Sequence, residues 1–207
     1  MARQYLAKRR YSILNRMRKI VLASSSPRRR EILAKSGIPF TVEQSGYDED
    51  LGLQLLPREL VQHFALEKAH AVAARHTDAV VIGADTVVLL GNEIFGKPHT
   101  AERMRAMLQK LSGTKHSIIT GLAVIDTGSA KETTRIEETI VTFRTITREE
   151  IETYVASGEG LEKAGGYALQ GGAAPFIERI EGDPLNGIGL PLAALLEELK
   201  KFGVGAS

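Results

Sequence analysis

The chain contains no cysteine, which removes disulfides, zinc–thiolate centres and a cysteine nucleophile together. No apolar stretch approaches the roughly 20 residues that a membrane span needs, so a soluble protein is expected. The five histidines are scattered, with no His-Glu-x-x-His or other paired spacing, and zinc hydrolase chemistry has little support. Neither a P-loop nor a Gly-x-Gly-x-x-Gly follows the first apolar strand, and Ser24, Ser25 and Ser26 lack the Gly-x-Ser-x-Gly elbow of serine hydrolases. There is no internal repeat, heptad array or long low-complexity linker. These exclusions leave a divalent metal held by oxygen ligands, with arginine and lysine on phosphates.

What is present suffices for one core: 207 residues with 43% hydrophobic content. Charge is distributed unevenly. Seven of the 27 basic residues fall within residues 1–19, where there is no acid, so the remainder carries 20 bases against 25 acids and is net −5. A mildly acidic body argues against a dedicated nucleic-acid-binding domain. The basic arm could be a nucleic-acid contact, an Arg-rich transit peptide or an extension. It has no apolar signal region, and Met17-Arg18-Lys19 stands directly before the first strand. We therefore expect a basic, flexible extension over residues 1–17, a single domain over residues 18–207, and a cytoplasmic protein, a compartment compatible with the missing cysteine.

The run Ala23-Ser24-Ser25-Ser26-Pro27-Arg28-Arg29-Arg30 leaves the apolar strand Ile20-Val21-Leu22 and opens a helix. Serine suits the cap and proline the first helical position, so the helix directs free N–H groups outward. Arginines in a first turn oppose the helix dipole, which implies an anion there; a solvated basic turn is the alternative.

Further along, the pattern alternates between strands and helices. The reading gives strand 19–24, helix 27–36 stopped by Gly37, an extended segment 39–44 and a helix from Pro57 to Arg75. Ala79 to Leu90 is an apolar, β-branched run and the expected centre of the sheet, turning at Gly91-Asn92. Helix 100–111 places Met104, Met107, Leu108 and Leu111 on one side. Strands 116–125 and 134–146 join through Asp126-Thr127-Gly128-Ser129. Thr147 with Glu150 forms a capping box for a helix to Ser157, Pro175 to Ile180 reads as a strand, and Pro191 to Phe202 as the last helix.

Several charged groups then need roles. Asp85, within Gly83-Ala84-Asp85-Thr86, is an acid in an apolar run and is costly to bury unless a metal, a cation or several donors meet it. A structural ion pair is one reading. A catalytic carboxylate approached by ligand past small neighbours is the one we favour. Lys97, set between Gly96 and Pro98, is aimed at lower entropic cost than Lys68, which follows Glu67 on a helix. Asp48, Glu49 and Asp50 offer oxygen ligands, although three acids in a loop are commonly solvated.

Read in order, ASSSPRRR at 23–30, EKA at 67–69, GADT at 83–86, GKP at 96–98, KAGGYALQG at 163–171 and GLPL at 189–192 closely resemble the Maf family of nucleoside triphosphate pyrophosphatases. The resemblance spans about residues 18–202. It implies a mixed, twisted α/β sheet flanked by helices, shared with inosine triphosphate pyrophosphatases, usually in a homodimer. It also implies hydrolysis between the α- and β-phosphates, releasing a monophosphate and pyrophosphate. On this resemblance Asp85 is the proton acceptor, and Ser24, Arg28 and Arg29 grip phosphates. Glu49 joins Asp85 at the metal, Mg²⁺ or Mn²⁺, and Lys68 and Lys97 complete the charge-stabilising shell.

Within the family, Arg28, Thr86 and Gln170 resemble the subgroup acting on dTTP and UTP. The 7-methyl-GTP subgroup tends to carry a tryptophan where this chain has Arg28. A glutamine amide suits the O4/N3 edge of thymine or uracil, and the missing tryptophan would have stacked on a charged purine. Gly165-Gly166 and Gly171-Gly172-Ala173-Ala174 are local departures from the pattern. Two further readings remain: a 7-methyl-GTP-type pyrophosphatase, and a non-catalytic nucleotide sensor regulating septum formation, a process with which family members are linked. Retention of Asp85 and the lysines favours turnover, and nucleic-acid or membrane partners are not expected.

Overall fold

A computed structural model describes residues 18–50 and 52–205. The expected flexible extension over residues 1–17 lies outside them. Among the described residues, seven strands form one mixed sheet: β1 (Lys19–Ala23), β2 (Thr41–Glu43), β3 (Ala79–Leu90), β4 (Glu93–Phe95), β5 (Lys115–Asp126), β6 (Lys131–Phe143) and β7 (Ile177–Glu181). Their order is β2-β1-β3-β5-β6-β7, with β4 on β3. The pairs β1·β2 and β1·β3 are parallel, and all others are antiparallel. The apolar run 79–90 is thus an inner strand with three partners, as its continuous hydrophobicity requires.

Helices cover both faces. In chain order they are α1 (Pro27–Ala34), α2 (Pro57–Ala73), α3 (Ala101–Leu111), α4 (Arg148–Ala156), α5 (Pro184–Ile188) and α6 (Leu192–Lys200). Period-2 alternation along β1 and β3 separates the layers. Val21, Ala23, Val81 and Ala79 pack with Ala65, Ala69 and Val72 of α2. Ile20, Leu22, Val80, Ile82 and Ala84 pack with Ile32 and Leu33 of α1 and Leu195 and Leu199 of α6. A separate cluster joins Val88 and Ile118 of the sheet to Met104, Leu108 and Leu111 of α3 and Ile151 and Tyr154 of α4. Met107 packs at its margin, so the methionines of α3 are core, as their helical spacing indicates. Among the described residues no helix is long and apolar enough to cross a membrane.

The capping boxes and stops occur where the chemistry puts them: Thr147 accepts from the Glu150 amide at the start of α4, and Thr100 caps α3. Three differences from the sequence reading have local causes. β6 runs 131–143 instead of 134–146, because its first half is paired to β5 though its side chains are half-exposed, and because Arg144 N–H turns to Phe176 O. β7 starts at Ile177, since residues 174–176 form a 3₁₀ turn. Strand β4 and helix α5 are too short to produce a periodic signal.

Candidate active site

The site begins with an interruption in strand pairing. β1 pairs with β3 only as far as Ile82, and β4 starts on that same edge at Val88. Among the described residues, 83–87 therefore have no strand beside them on this edge, at the carboxyl end of the parallel strands, where open α/β sheets place ligands. Asp85 is in the middle of this interval.

Side-chain alternation sends Asp85 and Thr86 to opposite faces. Asp85 turns toward α2, where Lys68 Nζ is 2.6 Å from its Oδ1. The same ammonium is 2.6 Å from Glu49 Oε1 on the loop before α2. Asp85 and Lys68 are buried, while Glu49 reaches in from an exposed position. The acid of the GADT motif is thus met by a cation, and the expected Glu49, Lys68 and Asp85 converge on one point.

On the other face Thr86 meets Arg29. Arg29 Nη2 donates to Thr86 Oγ1 at 3.1 Å, Nη1 to Ala84 O at 2.9 Å and Nε to Gly189 O at 2.9 Å. Its guanidinium thereby occupies the open edge of β3 and fastens α1 to the GLPL segment. Burial pulls its pKa down, against the attraction of Asp85 and Glu49. Thr86 also shares a 3.0 Å hydrogen bond with Thr120. Of the five donors of Arg29, three are thus committed to protein, a structural duty the sequence reading did not assign it.

The serine turn forms as expected. Ser24 is buried and its Oγ accepts from Ser26 N–H at 3.1 Å; Ser26 caps α1 by accepting from Arg29 N–H at 3.4 Å. Arg28, in the first turn of α1, is half-buried, and desolvation lowers its pKa. Lys97 is placed differently from the Asp85 cluster. It is exposed, with Nζ 3.8 Å from Glu162, on a loop tied to the KAGGY segment by the Gly165 N–H to Gly96 O bond. Gln170 is exposed on the turn that follows that segment. A groove lined by Arg30, Ala34, Ile38 and Val42 shares no residue with this cluster.

A family model described as Maf-like protein matches residues 19–202, which take in the serine turn, Asp85, Lys68, Arg29 and Gln170. The chain belongs to the Maf-like family. Similar relatives are a dTTP/UTP pyrophosphatase of Pelotomaculum thermopropionicum, 49% identical over 90% of this chain and 98% of its own. Another of that name, from Bacillus cereus, is 46% identical over 91% and 97%, and one from Bacillus cytotoxicus 45% over 92% and 99%. The mixed sheet with flanking helices is the Maf fold.

Two carboxylates meeting at one ammonium supply hard oxygen donors at a single point, which fits Mg²⁺ or Mn²⁺. Among the described residues no group of three His, Cys, Asp or Glu could hold a metal by itself. Glu49 and Asp85 fit a cation that draws its other ligands from phosphate and water. The sequence reading missed Glu159, whose side chain organises the turn after Gln170. Nothing in its local pattern after Gly158 marks it.

Proposed function

We propose that this Maf-like chain is a nucleoside triphosphate pyrophosphatase, hydrolysing dTTP and UTP to the monophosphate and pyrophosphate. The observation that carries the reading is Asp85, buried at the open edge of β3 and paired at 2.6 Å with Lys68. The names of the relatives at 45–49% identity support the substrates. So does the absence of tryptophan, which leaves no indole to stack on a charged purine.

In this reading water attacks the α-phosphorus, the bond to the bridging oxygen breaks, and pyrophosphate leaves. Lys68 donates to Oδ1 of Asp85, which leaves Oδ2 to take the water's proton directly or to hold the cation that orients the water. A divalent cation held by Glu49 and Asp85 would neutralise part of the triphosphate charge. Ser24, Arg28 and the amides opening α1 face the phosphates, and Lys97 approaches from the KAGGY side. The same reading includes a cytoplasmic homodimer, which sedimentation of the full chain would test.

The decisive experiment incubates the protein with dTTP, UTP, 7-methyl-GTP and modified pyrimidine triphosphates plus Mg²⁺ or Mn²⁺ and identifies the phosphate product. Pyrophosphate from dTTP and UTP is expected. Orthophosphate would show cleavage at the γ-phosphate and overturn the mechanism; binding without turnover would favour a sensor.

A further inference from the structure

We propose that Glu159 is a positioning residue for base selection, its carboxylate fixing the Gln170–Gly172 turn. The inference rests on the pyrophosphatase reading and adds to it the device that sets the base pocket.

Glu159 follows the end of α4. Its Oε2 accepts the Gly172 N–H at 2.9 Å, and Lys163 Nζ donates to its Oε1 at 3.2 Å. The turn lies close against this carboxylate. A Cβ on Gly171, whose φ is +88°, would lie 2.5 Å from Glu159 Oε1. One on Gly172 would lie 3.0 Å from Oε2 and 3.1 Å from the Tyr154 ring. Glycine at both positions lets the turn lie this close to the carboxylate.

Apart from the Ala174 N–H to Gly171 O bond at 3.1 Å, the Glu159 carboxylate is what ties the turn to the rest of the fold. Gln170, Gly171 and Gly172 are all exposed, with only Leu169 and Ala173 buried at its ends. An exposed Gly-Gly segment has high conformational entropy, so one fixed hydrogen bond has a large effect on where its neighbour Gln170 points. Burial opposes ionisation of Glu159, but the Gly172 amide and Lys163 outweigh it and hold the carboxyl below its usual value. The same charge acts on Arg28 and, after burial, helps push the Tyr154 phenol up. Arg28 from the first helix thus feels the charge of the carboxylate that binds the amide two residues beyond Gln170.

The test compares Glu159→Ala, Glu159→Gln and Glu159→Asp in the full chain, each checked for folding by circular dichroism. The readout is the ratio of kcat/KM for dTTP over 7-methyl-GTP, with KM and kcat separated. Both substrates carry the same triphosphate, so the ratio reports placement of the nucleoside whichever base wild type prefers, and the same ratio with UTP, a ribonucleotide like 7-methyl-GTP, isolates the base. Glu159→Ala should move the ratio about tenfold, mainly through KM. Glu159→Gln, whose amide oxygen still accepts from Gly172, should restore most of it; Glu159→Asp, one methylene too short, should not. If Ala does not fold, the Gln and Asp pair decides. A lowered melting temperature with an unmoved ratio, or rescue by Asp and not by Gln, would overturn the proposal. Failure of the pyrophosphatase reading would appear separately, as absence of pyrophosphate from the wild-type protein.

Discussion

A carboxylate in the middle of a 12-residue apolar strand would be strongly destabilising if it stood alone, and Asp85 does not stand alone. Lys68 supplies the opposite charge, and because Lys68 also reaches Glu49, removing the charge on Asp85 does not strand the ammonium. This sets the outcome of Asp85→Asn. The amide can accept a hydrogen bond from Lys68 but cannot take a proton from water, so kcat should fall by roughly 10²–10⁴ while folding and nucleotide binding persist. Near-normal kcat would remove Asp85 from its role. Arg29 is a different case, since its three hydrogen bonds are internal. Arg29→Ala leaves the carbonyls of Ala84 and Gly189 without their donor and should cost roughly 3 kcal/mol, read by urea denaturation, in addition to any loss of rate. Arg29→Lys should not restore it, because an ammonium cannot reproduce the fork. An unchanged urea midpoint with a raised KM would mean that the guanidinium serves substrate alone.

At the scale of elements, the site depends on how close α2 lies to the sheet. The helix crosses β3 and β5 over two glycines: a Cβ on Gly83 would sit 2.1 Å from Ala65 O, and one on Gly121 2.3 Å from Val61 O. Only this approach lets Lys68, one turn further along, reach Asp85. Gly83→Ala must push α2 outward, so it should destabilise the fold by about 2–3 kcal/mol and also reduce kcat, although residue 83 carries no functional group. A melting curve and a rate assay check the two effects together, and a stable, fully active variant would show that the contact is soft. This dependence also explains what was legible in sequence. β3, α3 and α4 were, because long apolar runs and capping boxes are local signals. Asp85, Lys68 and Glu49 could be singled out separately, but their meeting is a property of the α2–β3 contact, which no local pattern encodes. β4 and α5 escaped because three and five residues cannot display a period. Glu159 escaped because its partner is a backbone amide 13 residues away.

Across the whole molecule, the half built around α3, α4 and the Gln170 segment has a buried titratable group at its centre. His116 of β5 is 2% exposed, its Nε2 lies 2.7 Å from the Tyr167 hydroxyl, and its ring meets Phe143 edge-on at 4.8 Å. Its Nδ1 has no partner among the described residues. Burial lowers its pKa from 6.5 to about 4. Below pH 6.5 the unfolded chain therefore takes up a proton that the folded chain refuses, and stability falls with pH until about pH 4, where the folded form is protonated too. The loss should reach roughly 2 kcal/mol at pH 5 and 3 kcal/mol at pH 4. Asp126, held down chiefly by its bond with Arg18, works in a lower window: its contribution is present above 3.8 and is lost only as the pH falls further. The two are separable by urea denaturation of wild type and His116→Gln at pH 7.5 and pH 5. The glutamine amide can still meet Tyr167 but does not titrate, so the variant should lose much less stability between those pH values. Equal losses in the two proteins would show that the acid sensitivity arises elsewhere and that His116 is protonated in the folded state without penalty.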